Sequence, residues 1–370
     1  MTSVLPVNST PLEVALDEAG DARFETLYPG ADAIAGWRWT CPRASLFPWL
    51  IWEYGLGAMS PYLPTLSCAV YYGVAWERLR GTHAAVARGL EFIDYDGTII
   101  DPPARRTAWA DFQIALGRVR DAEADLPRIA GVIDLSRPAR SRLRRGYAAY
   151  DVPAAELSWT RLGRSIIGDD SGVRPDAAGP KWSFGRDHEA EATLTEAELT
   201  GLGVWIPGGT DPVTWEDLTF PWTDIVGAWT DLGSDTARRA TMASALAARG
   251  AYIALYDAEG EMIGARRCRA CRPVAFGDTY EIAGGTWSPD VAGTRLYIEA
   301  RTGWGDGSGQ TAVEAAVLFG AAPADTSRPG QLWCAPSEIS APYAAVARHA
   351  VSIPLGDTVR DRVALLADFT

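Results

Sequence analysis

Apolar residues in the first quarter of the chain recur at helical rather than strand spacing. Leu12, Ala15 and Leu16 follow Thr10-Pro11-Leu12-Glu13, a capping box with proline at the first helical position, which predicts a helix starting at Pro11. Between Cys41 and Ile93 the spacing predicts a helix hairpin and a third, short helix. Ser45 is placed to cap the first helix, and Pro48 lies early enough in it to be tolerated. Pro61 and Pro64 break the chain before the second, where Leu66, Val70 and Val74 form an i, i+4, i+8 row. Gly81 suits the left-handed position that ends a helix. Thr82 can cap the next, whose apolar side is Val86, Leu90 and Ile93.

The period then changes. Phe112, Ile114 and Leu116 alternate as a strand, Leu126, Ile129, Ala130 and Ile133 suggest a helix ending before Pro138, and a strand follows through Tyr147 and Tyr150. Residues 168–194 lose the apolar pattern and are dominated by glycine, proline and charge, so they read as a linker. A second capping box, Thr195 to Glu198, opens a short helix, and Asp235 or Thr236 opens another that Gly250 closes. The remainder reads as strands at 252–256, 261–268, 295–300, 311–319, 346–353 and 359–366. The expected architecture is an α+β domain over 1–167, led by the helical hairpin, then a linker, then a mainly β, sandwich-like domain over 195–370. A faint repeat, 273–279 against 352–358, would mark two similar halves of that sandwich.

The hairpin carries more aromatic surface than its own fold can use. Two helices of this length have one inward stripe each, whereas Trp49, Trp52, Tyr71, Tyr72 and Trp76 point to several sides. Some of these rings are expected to face another subunit. Arg137, Arg140, Arg142, Arg144 and Arg145 form the one basic concentration in an acidic chain. Such a cluster is either a solvated face or a dock for an acidic surface on a partner.

Composition narrows the classes. At 370 residues the length fits two or three domains, and 47% hydrophobic with 22% charged residues fits a globular protein. A net charge of −13 argues against nucleic acid as the main partner. The basic residues are nearly all arginine, Lys181 being the one lysine. No apolar run approaches the roughly 20 residues of a membrane span, and no secretory signal opens the chain. Five scattered cysteines suit a reducing cytoplasm without a disulfide framework.

The residues that could carry catalytic or cofactor chemistry lack the constellations it needs. Cys268 and Cys271 have the spacing of half a zinc site, but no second pair lies near, and cysteines three apart on a strand point to opposite faces. His83, His188 and His349 lack the context of a metal pair or a nucleophile elbow, with His188 falling in the linker. The glycine-rich loop at 303–309 precedes a strand rather than a helix and reads as a flexible hairpin tip. Asp169-Asp170 and Glu189-Glu191 read as linker charges. No enzyme, metal or cofactor is therefore expected.

One resemblance rests on particular residues. Cys41-Pro42, then Phe47-Pro48-Trp49-Leu50-Ile51-Trp52, then Arg80-Gly81-Thr82 with Ala84, Ala85 and Val86, and finally Ser136-Arg137-Pro138-Ala139-Arg140-Ser141, stand in the order seen in the phage tail protein I family. The chain resembles that family, a baseplate wedge component of contractile-tailed phages, over roughly residues 10–150. Ser60-Pro61-Tyr62 and Thr65-Leu66-Ser67 depart from its usual pattern. The resemblance implies a structural subunit of the virion tail, made in the host cytoplasm and present in six copies around the tail tube. It also implies association with two copies of a larger wedge protein. Trp49, Trp52, Tyr71, Tyr72, Trp76, Arg80, Arg137, Arg140 and Arg142 are the expected partner contacts. The β-rich part is expected at the periphery, holding neighbours or a tail fibre. The alternative is a tail-tip module whose Trp205, Trp215, Trp222, Trp287 and Trp304 stack on a host surface glycan.

Overall fold

The computed structural model describes residues 5–19, 28, 44–63, 65–100, 109–118, 125–149, 151, 170–208, 225–226, 234–340 and 344–370. Two compact units emerge, one of Met1–Asp96 with Pro127–Arg142 and the other of Gly97–Leu126 with Leu143–Thr370.

The first unit is helical. α1 (11–19) opens on the expected capping box, where the Glu13 amide donates to Thr10 Oγ1 at 3.4 Å and the Thr10 amide donates to Glu13 Oε2 at 2.7 Å. α2 (Phe47–Glu53) follows a 3-10 turn at Ala44–Leu46; its cap position is Leu46, without a side-chain bond, so Ser45 does not cap it. α3 (Leu66–Glu77) is capped by Thr65 and α4 (His83–Glu91) by Thr82, the latter after Gly81 at φ +84°. α5 (Asp125–Ser136) completes the helices of this part of the chain.

The inward face of α3 is Ala69, Val70, Gly73 and Trp76 rather than the row through Leu66 and Val74. Leu66 is exposed and Val74 only half-buried. Small residues let the helices approach closely: a Cβ at Gly89 of α4 would lie 2.7 Å from both Val132 and Ser136 of α5. In that contact Trp76 Nε1 donates to Ser136 Oγ at 3.0 Å, and Ser136 donates onward to the Val132 carbonyl at 2.6 Å. Leu90, Ile129, Val132 and Ile133 close the core around them.

The second unit is mainly β. Its strands are β1 (Gly97–Ile100), β2 (Asp111–Leu116), β3 (Arg142–Ala148), β4 (Lys181–Leu194), β5 (Ala251–Tyr256), β6 (Met262–Ile282) and β7 (Gly285–Pro289). They continue as β8 (Arg295–Arg301), β9 (Thr311–Phe319), β10 (Ala322–Pro323), β11 (Trp333–Cys334), β12 (Ile339–Ser340), β13 (Ala345–Pro354) and β14 (Val359–Phe369). Helices α6 (Glu196–Gly201) and α7 (Asp235–Ala248) lie between β4 and β5; the predicted box at Thr195 caps α6, and α7 starts at Asp235 with Ser234 as its cap.

One path of pairing runs β1-β2-β3-β4-β14-β8-β6-β5-β9-β13, and β7 and β11 add to β6. β14 is central, parallel to β4 and antiparallel to β8. The long β6 changes partner partway, pairing with β5 through Arg267 and with β8 from Cys268, with a register shift between Cys268 and Ala270. That bend curls the sheet until β13 returns beside β4. Ile298, Val363 and Leu365 then face Ile253, Val317 and Ile353 across one core, which Leu199 of α6 and Met242 and Leu246 of α7 help close.

The segment expected as a linker is instead strand over its last half. In β4, Ala190 and Ala192 pack on the core while Glu189 and Glu191 stand outward, the alternation of a half-buried strand. The 303–309 loop is likewise no hairpin tip, because β8 and β9 are not paired. Asp306 ties it down by accepting from Arg266 Nη1 at 2.8 Å and the Gly303 amide at 2.5 Å. The two copies of the faint repeat also differ. Gly277-Asp278-Thr279 bulges within β6, whereas Gly356-Asp357-Thr358 turns between β13 and β14.

Asp361 of β14 is fully buried and joins two strands: Arg186 Nε donates to its Oδ1 at 2.7 Å and Nη2 to its Oδ2 at 3.1 Å. His188 Nε2 lies 3.0 Å from the same Oδ1, so His188 is a sheet residue rather than a linker one. Asp361→Ala should cost about 3 kcal/mol by leaving Arg186 without its counter-charge, read as a lower midpoint in chemical denaturation. A loss below ~1 kcal/mol would mean the pair is water-screened.

Candidate assembly surface

The helical unit buries one side of α2 and leaves the other bare. Leu50 and Ile51 face inward, while Trp49 and Trp52, one turn apart on the opposite face, are 70% and 80% exposed. On α3, Tyr71 and Tyr72 are about half exposed, and Leu66 of the same helix and Leu79 just beyond it are also at the surface. Tyr72 is partly engaged, its ring 6.5 Å from Phe92 and beneath the Arg88 guanidinium at 6.0 Å. α1 presents a further apolar stripe, with Leu12 and Leu16 both exposed.

Trp76 departs from the expected contact set. At 2% exposure and bonded to Ser136, it belongs to the core of its own unit. Arg80 serves that core as well: its Nε donates to the Leu135 carbonyl at 3.0 Å, and its guanidinium lies 5.6 Å from the Trp76 ring. Arg137 is held locally by Asp134, with Nε to Oδ1 at 2.7 Å, and by the Ser141 carbonyl. Arg140 and Arg142 are exposed. The basic run is therefore no single face, since Arg144 pairs with Asp170 at 3.3 Å and Arg145 is buried against Asp151 and Asp170. Asp169 lies outside the described residues.

The other candidates resolve into structural roles. His349 Nδ1 donates to the Ala347 carbonyl at 3.0 Å. Cys268 and Cys271 both pack on the same core, because the register shift in β6 reverses the alternation that would have separated them. Desolvation raises both thiols, Cys271 to about 12. Among the described residues no group of three or more His, Cys, Asp or Glu side chains is placed to hold a metal ion, and no helix is long and apolar enough to cross a membrane. Outside the core of β14, Arg362 donates to Glu299, Asp187, Glu189 and the Tyr297 hydroxyl at 3.1–3.2 Å. The Tyr297 hydroxyl, which donates to Glu299 Oε2 at 2.6 Å, and the Arg301 and Arg362 guanidinium groups hold the Glu299 carboxyl below its usual range despite its burial, so it is no proton donor near neutrality.

The tryptophans proposed for glycan stacking are largely covered. Trp287 is buried, Trp205 is half-buried with the Arg238 guanidinium 5.4 Å from its ring, and Trp304 is half-buried with Arg360 at 4.6 Å. Trp215 and Trp222 lie outside the described residues.

These environments separate the tryptophans experimentally. Trp49→Ala and Trp52→Ala should each change stability by less than ~0.5 kcal/mol, whereas Trp76→Ala should lose about 3–5 kcal/mol. Equal losses in urea denaturation would contradict the assignment. The raised Cys271 thiol should stay protonated in the folded chain while the unfolded chain ionises, so stability should fall as pH rises from about 9 to 12. Cys271→Ala should flatten that limb of the stability–pH curve; an unchanged slope would speak against it.

Residues 5–140 match the family model described as "Phage tail protein (Tail_P2_I)". No curated protein matches the chain. The match contains α1 to α4 and the exposed aromatic face, and it ends before most of the sheet. Over residues 5–140 the chain is thus similar to the phage tail protein (Tail_P2_I) family, a likeness that supports a structural role in a phage tail.

Proposed function

We propose that the chain is a baseplate wedge protein of a phage tail, assembled with a larger wedge subunit around the tail tube. One observation carries the reading: Trp49 and Trp52 stand bare on a helix whose opposite side is already sealed. Leaving two indole rings in water forfeits burial free energy that a partner helix would recover, and tryptophan is a preferred anchor of such interfaces. Tyr71 and Tyr72 extend the same contact onto α3. Arg140 and Arg142 meet an acidic partner surface, fixing register more than affinity.

In this reading two copies of the larger subunit pack on each copy of this chain, in an obligate interface of more than about 2,000 Å². The β-rich unit lies toward the periphery, against neighbouring tail proteins or the base of a tail fibre. The protein is made in the host cytoplasm and functions in the virion.

Coexpression with the larger wedge subunit tests the contact. Trp49→Ala with Trp52→Ala should weaken co-purification by about thirtyfold or more, an anchor-residue effect, without lowering the melting temperature. Undiminished recovery of the complex would remove this face from the interface.

A further inference from the structure

The β unit of this acidic chain carries an arginine concentration of its own, Arg266-Arg267-Cys268-Arg269-Ala270-Cys271-Arg272 of β6. Arg266 is held by Asp306 at 2.8 Å. The others stand on the outside. Arg267 registers with Tyr252 and Arg272 with Tyr297, and neither tyrosine belongs to the main core. Residues paired across a ladder share a face, so both guanidinium groups point away from that core. Arg269 is the extra residue of the bulge, unmatched on β8, and is exposed as well.

The strip's charge is not answered from within the chain. Among the described residues neither Arg267 nor Arg272 forms an ion pair. Glu299, on the neighbouring strand β8, is already taken by the Tyr297 hydroxyl and by Arg301 and Arg362. Arg267 Nη1 donates to the Pro329 carbonyl at 3.4 Å, and its amide donates to the Leu332 carbonyl at 2.8 Å. The second bond sets Leu332, itself exposed, alongside β6 at Arg267. The outer surface there is a row of guanidinium groups with an apolar spot beside it.

The complement of that surface is α1. Every residue of α1 but Asp17 is exposed, so the helix has no buried face. A free helix this short is marginal in water, where about 12–15 residues are needed, and its capping box secures only the first turn. Leu12, Ala15, Leu16 and Ala19 form one stripe, flanked by Glu13, Asp17 and Glu18 and by no basic residue. At 1.5 Å per residue α1 spans about 13 Å, and the strand from Arg267 to Arg272 covers roughly 15 Å. We infer that α1 of one copy docks on the Arg267–Arg272 strip of a second copy. Its leucines meet Leu332 and its carboxylates meet the guanidinium groups, both halves of the match being present on one chain. Such a contact is heterologous and joins copies head to tail, the geometry that closes into rings. It goes beyond the wedge assignment and uses neither Trp49 nor Trp52, so either reading can fail without the other.

Sedimentation equilibrium of the full chain is the test. At low ionic strength the average mass should rise with concentration, and roughly 0.5 M salt should suppress the rise by screening. Asp17→Arg with Glu18→Arg, or Arg267→Glu with Arg272→Glu, should each weaken association about tenfold. The four changes together should restore it to within about threefold of the parent, because the charges again oppose. Arg267→Gln with Arg272→Gln, neutral rather than reversed, should weaken it about threefold. The variants should melt with the parent, since the changed side chains lie at or near the surface, and Trp49→Ala with Trp52→Ala should associate as the parent does. A chain monomeric at every concentration would overturn the proposal, including one whose α1 cross-links to its own strip. So would association that the reversals leave intact, that their combination fails to restore, or that the paired tryptophan changes abolish.

Discussion

An α-helix in a small bundle has one stripe to bury, and α2 and α3 hold more apolar side chains than one stripe accommodates. Everything distinctive about the helical unit follows. The inner stripe of α3 is filled by Ala69, Val70, Gly73 and Trp76, and the indole is locked by its bond to Ser136 at 3.0 Å. Once that position is taken, Trp49 and Trp52 have no inward place left and stand in water. Moving them inward would require displacing Leu50 and Ile51, whose burial already seals α2.

The β unit solves a different problem, how to build a wide sheet from an acidic chain. Alternation does the sorting: Ala190, Ala192, Val363 and Leu365 go to the core. On the outward face, Glu189 and Asp187 of β4 meet Arg362 of β14, and Glu191 meets Arg295 of β8 at 3.8 Å. Much of the charge is thus spent across strands, where opposite pairs add a little stability and like pairs would subtract it. Arg362 is the hub, and its charged form is favoured by the Tyr297 hydroxyl and the surrounding carboxylates against the penalty of burial.

The parts of this structure that were legible in the sequence are those written in local chemistry. Caps at Thr10, Thr82 and Thr195, the turn at Gly81, and the strands around Ile114 and Ile253 each depend on neighbours within a few residues. β4 was not legible, because its inward residues are alanines and a Glu-Ala-Glu-Ala run lacks hydrophobic contrast. Its strict alternation was the available signal. The bulge at Cys268 was also hidden, and with it the shared side of Cys268 and Cys271. Trp76 could not be told from Trp49 by type; only the position of α5, some sixty residues on, decides which indole is enclosed.

The central claim is that the Trp49–Trp52 face is completed by another chain. Hydroxyl-radical footprinting of the isolated protein and of the assembled tail, read residue by residue by mass spectrometry, measures this directly. The account predicts strong labelling of Trp49 and Trp52 in the free chain and near-complete protection in the tail, with Trp76 unlabelled in both. Equal labelling of Trp49 and Trp52 in the two states would contradict it.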